Sequence, residues 1–161
     1  MKELKMGYIP LVRLCLVKEK EVPYRKTVLN TPEMVAEIVN TIVPRADREY
    51  VLVVSLDARK RPIGIEVVAV GKLNAVMVSP RDIFKHCIIN SADSLVIAHN
   101  HPSGEPEPSE EDWNFTKKMK KVGEFLEIPV LDHVIVGEDG KYVSLQERST
   151  NETNFFVADS L

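Results

Sequence analysis

The chain has 161 residues, of which 44% are hydrophobic and 28% charged, a composition that builds one folded domain around its own core and excludes wholesale disorder. Its 21 Lys and Arg are outnumbered by 24 Asp and Glu, for a net charge of −3, which argues against a protein whose affinity comes from neutralising nucleic-acid phosphates. Cys15 and Cys87 are too few for a disulfide framework, and the chain has neither a signal-peptide core nor an apolar run near the ~20 residues of a membrane span, so the expected location is the cytoplasm, off the membrane.

Along the chain, Pro10 to Val17 (PLVRLCLV) predicts a strand, and Lys18 to Asn30 a charged connection carrying Pro23. Thr31, Pro32 and Glu33 supply the N-cap, the first-turn proline and the first-turn acid of a helix. Its apolar pairs Met34/Val35, Ile38/Val39 and Ile42/Val43 recur every four residues as one buried face, and Pro44 ends it. Two valine-rich runs, Tyr50 to Leu56 and Ile63 to Val70, joined by the turn-like Asp57 to Pro62, predict a β-hairpin closed by Gly71. Ala75 to Val78 predicts a short strand, and Ser79-Pro80 opens a helix that reaches about Ile89. The continuous apolar run Leu95 to Ala98 reads as a strand buried on both faces. A proline-rich loop spans His99 to Pro108, and the longest helix runs from about Ser109 to Leu126. Val130 to Val136, the turn Gly137 to Gly140 and Tyr142 to Leu145 predict a closing hairpin. From Glu147 onward the tail is polar and expected to fray, apart from Phe155-Phe156, a docking point for a partner or a second copy. The expected fold class is α/β, a single mixed sheet with flanking helices. It occupies residues 31–147, after an N-terminal strand and linker (1–30) and before a flexible tail (148–161).

The chemistry lies in the stretch His99 to Asp112, HNHPSGEPEPSEED. Histidines at i and i+2 of an extended chain point to one side, and two imidazoles on one side can bind one metal ion. In the following helix, Phe115, Met119, Val122 and Leu126 form an apolar stripe, and one step back along it lies Asp112. A carboxylate on a core-facing stripe is costly unless a cation compensates it. Ser109 is the natural N-cap of that helix. His99, His101 and Asp112 are therefore the candidate metal ligands, and three protein ligands with one open position is the arrangement of a catalytic zinc site. Such a site needs a general base. Glu105, Glu107, Glu110 and Glu111 belong to a solvated acidic loop. Glu49, just before the strand from Tyr50, and Glu66, inside an apolar strand, are the candidates, and spacing alone does not separate them.

Rival features have simpler readings. His86 and Cys87 adjoin in a helix, so their side chains diverge by about 100° and Cys87 reads as core. His133 is either a group that orients the site or a satisfied strand histidine, with the second favoured. Lys117, Lys118, Lys120 and Lys121 read as a solvated helix face, and Trp113 as core or site wall.

The run HNHPSG-EPEPSEED resembles the JAMM (MPN-plus, JAB) metalloprotease signature, His-x-His-Pro followed by Ser-x-x-Asp. With PRDIFK (Pro80 to Lys85) and LDHVIVG (Leu131 to Gly137), the stretch from Thr31 to Glu147 is similar to the bacterial RadC proteins. The resemblance implies a JAB/MPN fold akin to that of cytidine deaminases. It also implies a Zn2+ ion on His99, His101 and Asp112 with water completing the shell. The general base then maps to Glu49, Ser109 helps stabilise the oxyanion, and a peptide or isopeptide bond in a peptide or protein substrate is cut. RadC proteins usually carry an N-terminal helix-hairpin-helix region, whereas residues 1–30 show no Gly-rich hairpin. A DNA-repair or mobile-element accessory role with a structural metal is the alternative, unsupported by the charge. Neither the substrate nor the oligomeric state is legible in the sequence.

Overall fold

The computed structural model describes residues 7–24, 28–44, 47–71 and 78–150. Helix α1 (Pro32–Ile42) is followed by strands β1 (Tyr50–Leu56) and β2 (Pro62–Val70), helix α2 (Pro80–Ile89), strand β3 (Ser94–Asn100), helix α3 (Glu110–Phe125) and strands β4 (Val130–Val136) and β5 (Tyr142–Ser144). The strands form one sheet in the order β2-β1-β3-β4-β5. β3 and β4 run parallel and the other neighbours antiparallel. The parallel pair needs a crossover, and α3 supplies it. This is the mixed α/β sheet with flanking helices that the residue pattern predicts.

The pleat sorts side chains onto two faces. Leu52, Val54, Leu56, Val96, Ala98, Val134 and Val136 meet the buried stripe of α1, Val35, Ala36, Ile38 and Val39. On the opposite face Val51, Val53, Leu95, Ile97 and Val130 meet Ile83, Phe84 and Cys87 of α2 and Met119 of α3. Full burial of each such aliphatic side chain contributes about 1.5–3 kcal/mol. α1 begins as its residues dictate: Thr31 Oγ1 accepts from Met34 N–H at 3.4 Å, with Pro32 in the first turn.

Three expectations meet a different outcome. Residues 10–17 form no strand: the segment carries no regular element, and Leu11, Val12, Leu14 and Val17 are exposed. Apolar composition makes a run fit for a strand, but only pairing makes it one, and the sheet ends at β2 and β5 without it. The tail does not fray from Glu147: residues 145–150 are helical, with Ser144 Oγ accepting from Glu147 N–H at 3.0 Å as a cap and Asp132 Oδ1 accepting from Gln146 N–H at 3.1 Å. β3 also runs on through His99 and Asn100, two residues past the expected strand end. The short strand expected at Ala75 to Val78 lies outside the described residues except for Val78, and so does Phe155-Phe156. Among the described residues no helix is long and apolar enough to cross a membrane.

Candidate metal centre

His99 is still in the sheet, opposite Val51 of β1 and Ile135 of β4. Its odd parity with Leu95 and Ile97 puts its side chain on the α2/α3 face, where it is fully buried. Two residues on, His101 follows the same line, its N–H donating to the Val136 carbonyl at 2.8 Å. The two Nε2 atoms come to 3.0 Å. Asp112, the third residue of α3, turns inward with 2% exposure. Its Oδ1 is 3.3 Å from His99 Nε2 and its Oδ2 3.6 Å from His101 Nε2. One ligand atom from each of the three residues lies within 4.8 Å of the others. The structure thus brings together the three predicted ligands from a strand, a loop and a helix.

The loop that carries His101 is held from below. Gly104, at φ +84, donates its N–H to the His101 carbonyl at 3.1 Å, and its own carbonyl accepts from Glu138 N–H at 2.8 Å. The approach is so close that a Cβ on Gly137 would stand 2.2 Å from the Gly104 oxygen. Glu105 and Glu107 are exposed as expected, and each has a cation: Lys141 Nζ at 2.6 Å and Arg148 Nη1 at 2.5 Å.

Ser109 and Asp112 form a reciprocal capping box. Ser109 donates its hydroxyl to Asp112 Oδ2 at 2.7 Å and its N–H at 2.8 Å, and its Oγ accepts from Asp112 N–H at 3.2 Å. The serine therefore caps α3 and aims the carboxylate in one act.

Electrostatics follow from the enclosure. Burial alone would raise the Asp112 pKa, but the His101 and His99 imidazoles beside it, with the Ser109 hydroxyl, outweigh it and hold the carboxyl far below its ordinary range. The same Asp112 contact raises His101, against the opposing effect of burial. The Glu105 carbonyl and the charges of Asp112 and Glu49 add to the rise. Glu49 thus lies within electrostatic reach of His101, while Glu66 faces His86 of α2, 3.8 Å from its Nδ1. Of the two base candidates, Glu49 is the one on the chain running into β1 two residues before Val51, the partner of His99, which sets its position opposite His101. Its backbone is set by Asn100, whose Oδ1 accepts from Tyr50 N–H at 2.8 Å and whose Nδ2 donates to the Arg48 carbonyl at 3.1 Å.

The donor set fits a cation. The His101 Nδ1 lies 2.9 Å from the Glu105 carbonyl, which only accepts, so its proton is on Nδ1 and its Nε2 faces inward. Two facing imidazole nitrogens beside a carboxylate need a proton or a cation between them, and two nitrogens with one oxygen are ligands zinc takes.

Two contributors were not singled out by the sequence, Asn100 and Thr116. A third, His133, for which orienting the site was the less favoured of two readings, stands directly behind His99. His133 is fully buried, its Nε2 2.7 Å from His99 Nδ1 and its Nδ1 2.6 Å from Thr116 Oγ1. A threonine four residues after Asp112, on the buried face of α3, was the available signal. The rival readings keep their simpler explanations. Burial pushes the Cys87 thiol up to about 12, away from a thiolate. Lys117, Lys118 and Lys121 are exposed on the outer face of α3.

The family model for the RadC-like JAB domain matches residues 29–150. A UPF0758 protein of Desulfitobacterium hafniense (strain DSM 10664 / DCB-2) is 42% identical over 126 residues, 78% of this chain and 55% of the relative. One from Moorella thermoacetica is 43% identical over 124 residues, 77% and 54% of the two chains. One from Methanosarcina mazei is 39% identical over 127 residues, 79% and 54% of the two chains. The chain spans about half the length of the curated relatives it matches.

Proposed function

This chain belongs to the RadC-like JAB domain family, and on that premise we propose that it is a cytoplasmic zinc-dependent hydrolase that cleaves a peptide or isopeptide bond of a peptide or protein substrate. The observation that carries the reading is the convergence of His99, His101 and Asp112 within 4.8 Å, with the charge of Glu49 acting on His101. Held by these three residues, zinc would supply Lewis acidity toward a carbonyl and would acidify water. Glu49 takes the proton of the attacking water and returns it to the leaving amine. Ser109 stabilises the oxyanion when its hydroxyl turns away from Asp112 Oδ2, which keeps the Ser109 N–H at 2.8 Å throughout. A carboxylate that retains one donor while lending the other makes the two duties of Ser109 compatible.

The test is elemental analysis of the purified chain joined to hydrolysis of peptide and isopeptide libraries. The expected result is near one zinc per chain, lost when His99→Ala and His101→Ala are combined. Glu49→Gln should keep the zinc and lose about 10²–10⁴ in rate. No zinc after incubation with the ion refutes the reading, and full activity in Glu49→Gln refutes the base.

A further inference from the structure

Behind His99 runs a line of hydrogen bonds that the hydrolytic scheme leaves unused. His99 Nδ1 lies 2.7 Å from His133 Nε2, His133 Nδ1 2.6 Å from Thr116 Oγ1, and Thr116 Oγ1 2.7 Å from the Asp112 backbone carbonyl. His99 and His133 are 0% exposed and Thr116 3%, so water is not a competing partner.

The direction of each bond follows by elimination. A carbonyl only accepts, so the single hydroxyl proton of Thr116 goes to Asp112. The hydroxyl then accepts from His133 Nδ1–H. A neutral buried imidazole carries one proton, so His133 Nε2 presents a lone pair, which accepts from His99 Nδ1–H. His99 Nε2 is left without a proton, facing His101 Nε2 at 3.0 Å and Asp112 Oδ1 at 3.3 Å.

We infer that Thr116 and His133 are positioning residues that fix His99 in its Nδ1–H tautomer and so keep its Nε2 lone pair presented to a metal ion. The purpose of the relay rests on the metal reading above, while the tautomer is a property of the chain with or without an ion. The relay starts at one ligand, on β3, and ends on the backbone of another, on α3, passing through β4. It therefore sets a ring orientation and a proton position together, as groups behind a metal-binding histidine commonly do.

The deciding measurement is the long-range 1H–15N spectrum of the histidine rings in the metal-free chain, compared with Thr116→Val and Thr116→Ser. Wild type and Thr116→Ser are expected to show His99 protonated at Nδ1. In Thr116→Val the acceptor is gone, the His133 proton moves to Nε2, and the His99 proton is driven to its own Nε2, into the ligand position. Zinc affinity from chelator competition should then fall about 10- to 100-fold in Thr116→Val and recover in Thr116→Ser. A wild-type His99 protonated at Nε2, or a Thr116→Val chain that keeps the proton at Nδ1, overturns the relay. The wild-type spectrum decides by itself if Thr116→Val fails to fold. A chain that takes up no zinc would refute the hydrolytic reading, and the metal-free ring spectra would still support or overturn the relay.

Discussion

Asn100 binds the end of β3 to the start of β1 through Tyr50, whose N–H donates to Asn100 Oδ1 at 2.8 Å. Since Asn100 Nδ2 also donates to the Arg48 carbonyl at 3.1 Å, the residue between them, Glu49, is held from both sides. Asn100→Ala should cost about 1–3 kcal/mol through the polar groups left unpaired. It should lower kcat by about 100-fold through misplacement of Glu49. Zinc stoichiometry should be unchanged, and a parallel loss of zinc would contradict this division of labour.

Ser109→Ala removes the cap of α3 and one of the two Ser109 donors to Asp112 Oδ2. The expected destabilisation is about 0.5–2 kcal/mol by urea unfolding, and Ser109→Gly should cost only a few tenths. Zinc affinity should weaken in both variants, because Asp112 is then aimed by a single backbone N–H.

Gly137→Ala tests the clamp beneath the His101 loop. The added Cβ would meet the Gly104 oxygen at 2.2 Å and Pro106 Cδ at 2.9 Å, and backbone cannot swing aside as a side chain does. We expect a loss of about 1–3 kcal/mol by thermal or urea unfolding, with weaker zinc binding. An unchanged melting temperature would show that the two turns are not pressed together.

The pH dependence of stability should change sign with metal. In the metal-free chain the raised pKa of His101 gives a contribution that is complete below the ordinary histidine value of about 6.5 and lost as pH rises through the raised value. The depressed Asp112 pKa gives one present above about 3.9 and lost only in strong acid. Melting temperature without metal should therefore fall as pH climbs past neutrality. With saturating zinc it should rise over the same interval, because protons compete less for the ligands. Paired melting curves in chelator and in zinc check both signs.

The two thiols should differ sharply. Cys15 is exposed, whereas Cys87 is buried with its thiol pushed up to about 12. An aromatic disulfide reagent should titrate one thiol quickly in the native chain and the second only on unfolding. Rapid reaction of both would mean that α2 opens from the sheet.

Much of this was legible because periodicity reports burial directly. The four-residue recurrence in α1 and the valine runs of β1 and β2 announce faces, and the fold buries those faces. Asp112 stood out by the same logic, as a carboxylate on an apolar stripe. The segment 10–17 misled because composition measures fitness for a strand while pairing is a property of the whole sheet. Glu49 and Glu66 could not be separated by spacing because what distinguishes them is the register of β1 against β3, a long-range fact. Thr116 escaped, and the two readings of His133 could not be separated, for a related reason. Each is unremarkable in its own element, and only the parallel pairing of β3 with β4 under α3 sets them in line with His99.

The central place of β3 has a kinetic meaning. Its residues are all buried and its backbone is bonded on both sides, to β1 and β4, so deuterium should enter its amides only when the whole sheet opens. His99 therefore belongs to the last part of the molecule to yield, while His101 rides on a loop whose amides exchange sooner. The site is expected to span that gradient, one ligand's backbone staying protected until the sheet opens and the other's only until its turn does.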